Sequence, residues 1–203
     1  MPTAVTEVPY RAVPTDPPRK RWTRAECSAM EATGVWDQQR FELVEGELIS
    51  KVPKNRPHVF SLTRVLAWML SVFGTDYVNP EASIDVAPED NPTSEPEPDI
   101  IVLAKPMGEI MSGNPQPAEI RLVVEISDTS LGFDLTKKAA LYARAGIADY
   151  WVVDIPARRI VVHRDPRGGL YQSIAVYNDQ ESVSPLAAPG QEFRVGDAFA
   201  APK

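Results

Sequence analysis

The chain has 203 residues, of which 43% are hydrophobic and 24% charged, a composition typical of globular proteins rather than disordered or fibrous ones. The formal net charge is −7, and eight acidic residues but no basic one lie between Asp76 and Asp99, which argues against tight non-specific binding to DNA. One cysteine and two histidines exclude an internal disulfide and a zinc site built from Cys and His, so any metal must be held mainly by oxygen ligands.

The hydropathy of the chain predicts a cytoplasmic protein. No run approaches the roughly 20 apolar residues of a membrane helix, and the N-terminus lacks the order of basic, apolar and small residues of a signal peptide. We therefore expect neither export nor contact with a membrane. The proline-rich residues 1–22 are interpreted as a flexible tail, residues 23–195 as the folded domain and residues 196–203 as a second tail.

The first half of the domain predicts two helices, a hairpin and a strand. Thr23 and Glu26 have the spacing of a capping box, so a short helix should follow them. Residues 41–50 have apolar runs on both sides of a Glu-Gly pair, which predicts a β-hairpin. Over residues 57–73 the apolar positions recur every three or four residues, which predicts an amphipathic helix. A strand is predicted next, over residues 77–86.

The second half alternates strands with a helix and indicates the fold class. Its strands are short, continuous and rich in β-branched residues, which is typical of central strands covered on both faces. The order predicts an α/β fold in which helices flank a mixed sheet, as a single domain with an added β-hairpin. His163 is expected at the surface of the last hairpin. The predicted elements are strands at 100–103, 122–126 and 150–153, a helix at 134–145, and a hairpin formed by 159–163 and 171–176.

Two carboxylates occupy positions where burial would be costly. Asp99 stands directly before the strand at 100–103, and Glu125 interrupts the apolar run at 122–126. If the two strands are antiparallel neighbours, both carboxylates share one edge of the core. Two like charges in a low-dielectric site need a compensating cation, and Mg²⁺ requires only one or two carboxylates besides water. The alternative is that Asp99 caps a turn and Glu125 pairs with an arginine.

A lysine on the following helix is a third candidate. Lys138 shares a helix face with Leu135 and Tyr142, so its ammonium is expected to point toward buried carboxylates or toward a substrate. Lys137 points elsewhere. The alternative is a surface pair between Asp134 and Lys138, the favourable acid-before-base arrangement of a helix. The spacing by itself favours neither interpretation.

These residues, in this order, resemble the PD-(D/E)XK nuclease superfamily and, more closely, its Uma-type family of restriction endonucleases. The resemblance covers about residues 23–195 and implies a restriction-endonuclease-like fold. It rests on four segments, which are FELVEGEL at 41–48, PDIIV at 98–102, LVVEIS at 122–127, and residues 134–154 with KAALYARAG and YWVVD.

The resemblance also implies a set of functional residues. Asp99 and Glu125 would bind Mg²⁺ or Mn²⁺, and Lys138 would orient or help deprotonate a water and stabilise negative charge on phosphorus. Glu42 matches an acidic position of the family and is a further catalytic candidate, as a metal ligand or an orienting group. His58 matches a position near the active-site mouth and is a substrate-binding candidate, although a histidine at such a place is more often a capping or core-edge residue.

The sequence departs from the superfamily pattern at Ser127, where a lysine is expected two residues after the glutamate. In the Uma-type family the following helix supplies the lysine, and Lys138 matches that position. We therefore expect a metal-dependent endonuclease that acts on DNA, as a homodimer like related nucleases. The alternative is a catalytically weak or inactive relative that uses the same fold to bind nucleic acid or a protein partner.

Overall fold

The computed structural model describes residues 19–36, 39–51 and 53–201. Helix α1 is Arg24–Glu31 and α2 is Arg56–Phe73. Helix α3 spans residues 131–144 and combines α-helical Leu131–Phe133, a π turn at Asp134–Lys138 and α-helical Ala139–Arg144. The strands are β1 (Phe41–Val44), β2 (Glu47–Ser50), β3 (Val78–Pro80), β4 (Ile100–Leu103), β5 (Ile120–Ser127), β6 (Asp149–Asp154), β7 (Arg159–Arg167), β8 (Leu170–Asn178), β9 (Ser182–Val183) and β10 (Phe193–Arg194).

A six-stranded mixed sheet in the order β3-β4-β5-β6-β7-β8 forms the centre of the fold. Strands β5 and β6 are parallel and are joined through α3, whereas the other neighbouring pairs are antiparallel. A parallel pair requires such a crossover connection. The predicted α/β fold class, with helices flanking a mixed sheet, is confirmed. Strands β1 and β2 form the added hairpin, and β9 and β10 form a second small sheet.

Helices α2 and α3 cover opposite faces of the central sheet. Val65 and Met69 of α2 belong to the hydrophobic cluster that contains Val124 of β5. Tyr142 of α3 belongs to the cluster that contains Val123 of the same strand. Because successive side chains of a strand point to opposite faces, the odd-numbered residues of β5 face α3. Any polar residue at such a position is therefore directed toward α3.

The short helix predicted after Thr23 and the amphipathic helix predicted over 57–73 are confirmed as α1 and α2. The capping box of Thr23 and Glu26 is formed at the start of α1. Asn55 caps α2 by accepting a hydrogen bond from the amide of His58, and Gly74 ends the helix at a positive φ of 84°. Within the described ranges, no helix is long and apolar enough to cross a bilayer.

The strand predicted over 77–86 is shorter than expected. Only Val78–Pro80 pairs with β4, and the pairing ends at a proline, which has no amide proton to donate. Glu81 then adopts a positive φ of 52°, which turns the chain out of the sheet. Ile84 and Val86 are buried all the same, from within a loop. The alternation of apolar residues thus reflects loop packing rather than strand pairing.

Two other expectations differ from the structure. His163 is buried, with 2% of its surface exposed, because its ring packs against those of Tyr150 and Tyr171 at centroid distances of 5.2 and 5.6 Å. The tail expected at 196–203 begins too early, because Val195–Ala198 forms a short 3₁₀ turn and Phe199 is buried in the core.

The N-terminal tail expected at 1–22 lies outside the described residues as far as residue 18. Its last residues contact the β1–β2 hairpin. The amide of Trp22 donates a hydrogen bond of 2.8 Å to the carbonyl of Gly46, and Arg21 donates to the carbonyl of Glu45. The close approach requires a glycine, since a Cβ at position 46 would lie 2.8 Å from the Cβ of Arg21.

Candidate active site

Antiparallel pairing of β4 and β5 brings Asp99 and Glu125 to the same end of the sheet. Ile100 pairs with Val124, so Asp99, directly before Ile100, lies opposite Glu125, directly after Val124. Directly opposed residues share a face of the sheet, and here it is the face that packs against α3. The Oδ2 atom of Asp99 accepts a hydrogen bond of 2.8 Å from the amide of Ile126. The pairing expected between the two strands is therefore observed.

Lys138 of α3 reaches the carboxylate of Glu125. Its Nζ lies 2.9 Å from Oε1 of Glu125, and the hydroxyl of Tyr142 donates to the same oxygen at 2.9 Å. Glu125 and Lys138 are 4% and 3% exposed. The alternative of a surface pair between Asp134 and Lys138 is wrong, because both side chains are buried. Glu125 therefore pairs with a lysine and not with the arginine of the alternative interpretation.

Glu42 of β1 holds the same lysine from the other side. Its Oε2 atom lies 2.9 Å from Nζ of Lys138 and accepts a hydrogen bond of 3.2 Å from the amide of Glu97. Glu42 is 7% exposed. A single ammonium therefore faces two buried carboxylates, and it can balance the charge of only one of them.

The hairpin that carries Glu42 is attached to α3 by Glu45. The Oε2 and Oε1 atoms of Glu45 lie 2.9 Å from Nζ of Lys137 and 2.8 Å from Nη2 of Arg144. The sequence predicts for Glu45 only a role in the turn and contact with solvent. Because Glu42 lies three residues earlier on the same short hairpin, these pairs hold it beside Lys138.

The residue at the missing lysine position organises a buried carboxyl group instead. The hydroxyls of Ser127 and Ser130 each donate a hydrogen bond of 2.6 Å to Oδ2 of Asp134. Burial raises the pKa of Asp134. Asp134 lies at the start of the π turn that ends at Lys138, and π turns are frequent at functional sites. The sequence predicts for Asp134 only a possible surface pair with Lys138.

Lys54 and His58 contact the outer side of Asp99. Nζ of Lys54 lies 2.8 Å from Oδ1, and Nε2 of His58 lies 3.6 Å from Oδ2. The His58 side chain is 14% exposed, and its Nδ1 is buried without a hydrogen-bond partner among the described residues. Sequence reasoning missed Lys54, because a lysine in an irregular loop interrupts no periodic pattern.

All five residues selected from the sequence line one cleft. The cleft has a volume of about 1030 Å³ and opens between the hairpin, the start of α2 and the end of β5. A substrate in this cleft would meet both ionic clusters, the one around Lys138 and the one around Asp99. Its lining includes Glu42, Lys54, His58, Asp99, Glu125 and Lys138.

The charges of the cleft are unevenly balanced. Burial raises the pKa of Glu125 to about 8, although the ammonium of Lys138 opposes that shift. Burial alone would lower the pKa of Lys138, but the carboxylates of Glu125 and Glu42 raise it above its ordinary value. Burial would also raise the pKa of Asp99, but the contacts from His58 and Lys54 hold it well below its usual range. Asp99 is therefore ionised, and Lys138 remains an ammonium at neutral pH.

Glu125 should make the stability of the fold depend on pH. Between the ordinary value of 4.5 and the raised pKa of about 8, the folded chain binds a proton that the unfolded chain does not. The free energy of unfolding should therefore decrease as the pH rises from 5 to 8, by an amount on the order of 3 kcal/mol. Glu125→Gln cannot titrate and should flatten this dependence in urea unfolding. If the free energy of unfolding changed equally with pH in the wild type and in Glu125→Gln, the raised pKa would not belong to Glu125.

Comparisons with known proteins identify relatives of this fold. Residues 26–196 match the protein family described as "Uma2: Putative restriction endonuclease". Among solved structures, the fold is similar to a protein of Anabaena variabilis described as a putative nuclease belonging to DUF820, with a TM-score of 0.61 and 19% identity over 78% of this chain and 89% of that chain. No curated protein matches the chain. Because the family match spans most of the sequence, the chain belongs to the Uma2 family.

Proposed function

We propose that this protein is a metal-dependent endonuclease that hydrolyses phosphodiester bonds of DNA. One observation carries the proposal. Asp99, Glu125 and Lys138 come from three separate segments and line a single cleft, two of them as buried acids and one as a buried ammonium. Membership of a family described as restriction endonucleases supports a nuclease. The metal, the DNA substrate and the roles of individual residues are our inference.

The donor atoms of the cleft fit a divalent cation that prefers oxygen. Asp99 is ionised, and the hydrogen bonds that Glu125 makes with described residues all go to Oε1, which leaves Oε2 for a metal. No three Asp, Glu, His or Cys side chains in the described ranges form a ready cluster, but Mg²⁺ keeps several waters and needs only one or two carboxylates. Bound Mg²⁺ or Mn²⁺ would polarise the scissile phosphate and lower the pKa of a water.

The other residues of the cleft would position the substrate and stabilise charge. Lys138 would orient the attacking water and stabilise the negative charge that develops on the phosphate. Because its pKa is raised, we do not assign it proton abstraction. Glu42 would hold the ammonium in place through its 2.9 Å contact. His58, beside Asp99 at the mouth of the cleft, would contact the substrate.

A polyanionic substrate must approach a chain of net charge −7. Besides Lys138, three cations line the cleft and offer phosphate contacts, and each is already paired with an acid: Arg40 and Lys51 with Glu97, and Lys54 with Glu81 and Asp99. With so few cations available, we expect weak DNA affinity that decreases with salt. The homodimer and the preference for DNA over RNA stay predictions.

The test is a cleavage assay with the purified chain. Supercoiled plasmid, single-stranded DNA and RNA are incubated with Mg²⁺, with Mn²⁺, or with excess EDTA. We expect plasmid nicking or linearisation with either ion and none with EDTA, because the carboxylates alone cannot supply the positive charge. Cleavage of RNA alone would replace the proposed substrate. Absence of metal-dependent cleavage of every substrate would contradict the proposed activity.

A second candidate is an inactive nuclease fold that binds nucleic acid or a protein. Ser127 favours it, because a hydroxyl that donates to Asp134 stands where the superfamily has a catalytic lysine. An inactive relative would leave the plasmid intact with both metals. It would still shift the mobility of nucleic acid or retain a protein partner.

A further inference from the structure

Lys54 contacts the carboxylate oxygen that a metal ion at Asp99 would need. Oδ2 of Asp99 already accepts the amide of Ile126 at 2.8 Å and faces Nε2 of His58 at 3.6 Å. Oδ1 is contacted by Nζ of Lys54 at 2.8 Å. An ion that binds Oδ1 must therefore displace an ammonium, and two cations cannot share this oxygen without strong repulsion.

Lys54 has a second carboxylate within reach. Its Nζ also lies 2.8 Å from Oε1 of Glu81, whose side chain is 40% exposed. Glu81 has a positive φ of 52°, and its amide donates a hydrogen bond of 3.1 Å to the carbonyl of Asp99. This turn places the two carboxylates on either side of one ammonium. Lys54 can leave Asp99 while it keeps Glu81.

We propose that Lys54 is an internal competitor of the divalent cation at Asp99. It neutralises Asp99 while no ion is bound, and it moves onto Glu81 when an ion binds. The inference rests on the proposed metal site and extends it by naming the residue that limits its affinity. Lys138 does not have this role, because it contacts Glu125 and Glu42 rather than Asp99.

The exchange gives the cleft a way to couple metal and substrate. Once displaced, the ammonium of Lys54 remains at the cleft wall and becomes available to a phosphate oxygen of the substrate. A phosphate there stabilises the displaced position, so nucleic acid should increase the affinity for the ion. By linkage, the ion increases the affinity for nucleic acid by the same factor.

The test measures Mn²⁺ affinity by calorimetry in the full chain without substrate. Lys54→Met removes the competing cation, so we expect it to tighten Mn²⁺ binding about tenfold, the weight of one charge-assisted hydrogen bond. Lys51→Met is the matched control. It removes an equal charge from the same cleft, but Lys51 pairs with Glu97 at 3.0 Å and not with Asp99. The control should tighten binding much less.

Glu81 provides the second arm of the test. Glu81→Gln removes the alternative partner of Lys54, so it should weaken Mn²⁺ binding about threefold, from the loss of one modest ionic contact. Part of any such loss would arise from the missing charge alone. In the Lys54→Met background only that part remains, so the effect of Glu81→Gln should shrink in the double variant. Additive effects would contradict the exchange of Lys54 between two carboxylates.

The outcomes separate this inference from the proposed nuclease. Equal Mn²⁺ affinity of the wild type, Lys54→Met and Lys51→Met overturns the competitor role and leaves the metal site standing. Tighter Mn²⁺ binding in Lys54→Met, together with no plasmid cleavage by the wild type, supports the competitor role and contradicts the nuclease. Absence of Mn²⁺ binding in the wild type and in Lys54→Met overturns both. Thermal unfolding of each variant verifies that the fold is retained.

Discussion

Asp99→Asn and Glu125→Gln should each reduce metal-dependent cleavage at least about 1000-fold. Loss of a residue that only orients a metal ligand costs about 10- to 100-fold in affinity or activity, and loss of the ligand itself should cost more. Each substitution keeps the size of the side chain but removes a carboxyl group that could bind the ion as a carboxylate. Both variants should also lose Mn²⁺ binding in calorimetry, because each carboxylate is one of only two proposed protein ligands.

Glu97→Gln is the control for these two variants. Glu97 lines the same cleft, but its carboxylate pairs with Arg40 and Lys51 rather than with Asp99 or Glu125. We expect it to retain most of the activity. If Asp99→Asn and Glu125→Gln fold normally and still cleave plasmid at the rate of the control, the assignment of the catalytic site is wrong.

Lys138→Met should lower both stability and activity. It removes the ammonium and leaves Glu42 and Glu125 buried without their common partner. Loss of one member of a buried ion pair costs about 3–5 kcal/mol. The deficit should be smaller at pH 6 than above pH 8, because Glu125, whose pKa burial raises to about 8, carries a proton at the lower pH. Cleavage should fall about 100- to 1000-fold, as for the loss of a donor that stabilises developing charge.

Lys137→Met is the control for Lys138→Met, because it removes a lysine from the same helix but not from the cleft. Its side chain is 52% exposed and pairs with Glu45 at the surface, so its loss should cost less than about 1 kcal/mol. The double variant Glu42→Gln/Lys138→Met should regain part of the stability without regaining activity. A stable and fully active Lys138→Met variant would remove this lysine from the proposed mechanism.

Asp99, Glu125 and Lys138 can be recognised from the sequence because each is a charged residue next to or within an apolar pattern. Glu125 and Lys138 stand at positions where the pattern predicts an apolar residue, and Asp99 stands directly before a buried strand. The family resemblance added Glu42 and His58, which interrupt no pattern. All five line the cleft.

Other members of the site left no such signal. The sequence indicates that Asp134 is the first member of a surface ion pair with Lys138, and only its burial beside Ser127 shows that it is not. Lys54 lies 45 positions before Asp99, in a loop without periodicity. Glu45 reads as a turn residue, although it joins the hairpin to α3.

Local patterns were sufficient for the type and order of the elements. Apolar spacing identified α2 and the central strands β4, β5 and β6, and a capping box identified the start of α1, because these signals involve residues within a few positions of each other. The α/β class followed from their order.

Ionic partners, by contrast, were decided by the assembled fold. The register of β4 against β5 places Asp99 opposite Glu125, and the hairpin and the loop before α2 bring Glu42 to Lys138 and Lys54 to Asp99. Burial of His163 against two tyrosines arose in the same way. Each of these contacts joins segments that are distant in the chain, and the energy of a charge depends on how much water the surrounding segments exclude, which no short stretch of sequence specifies.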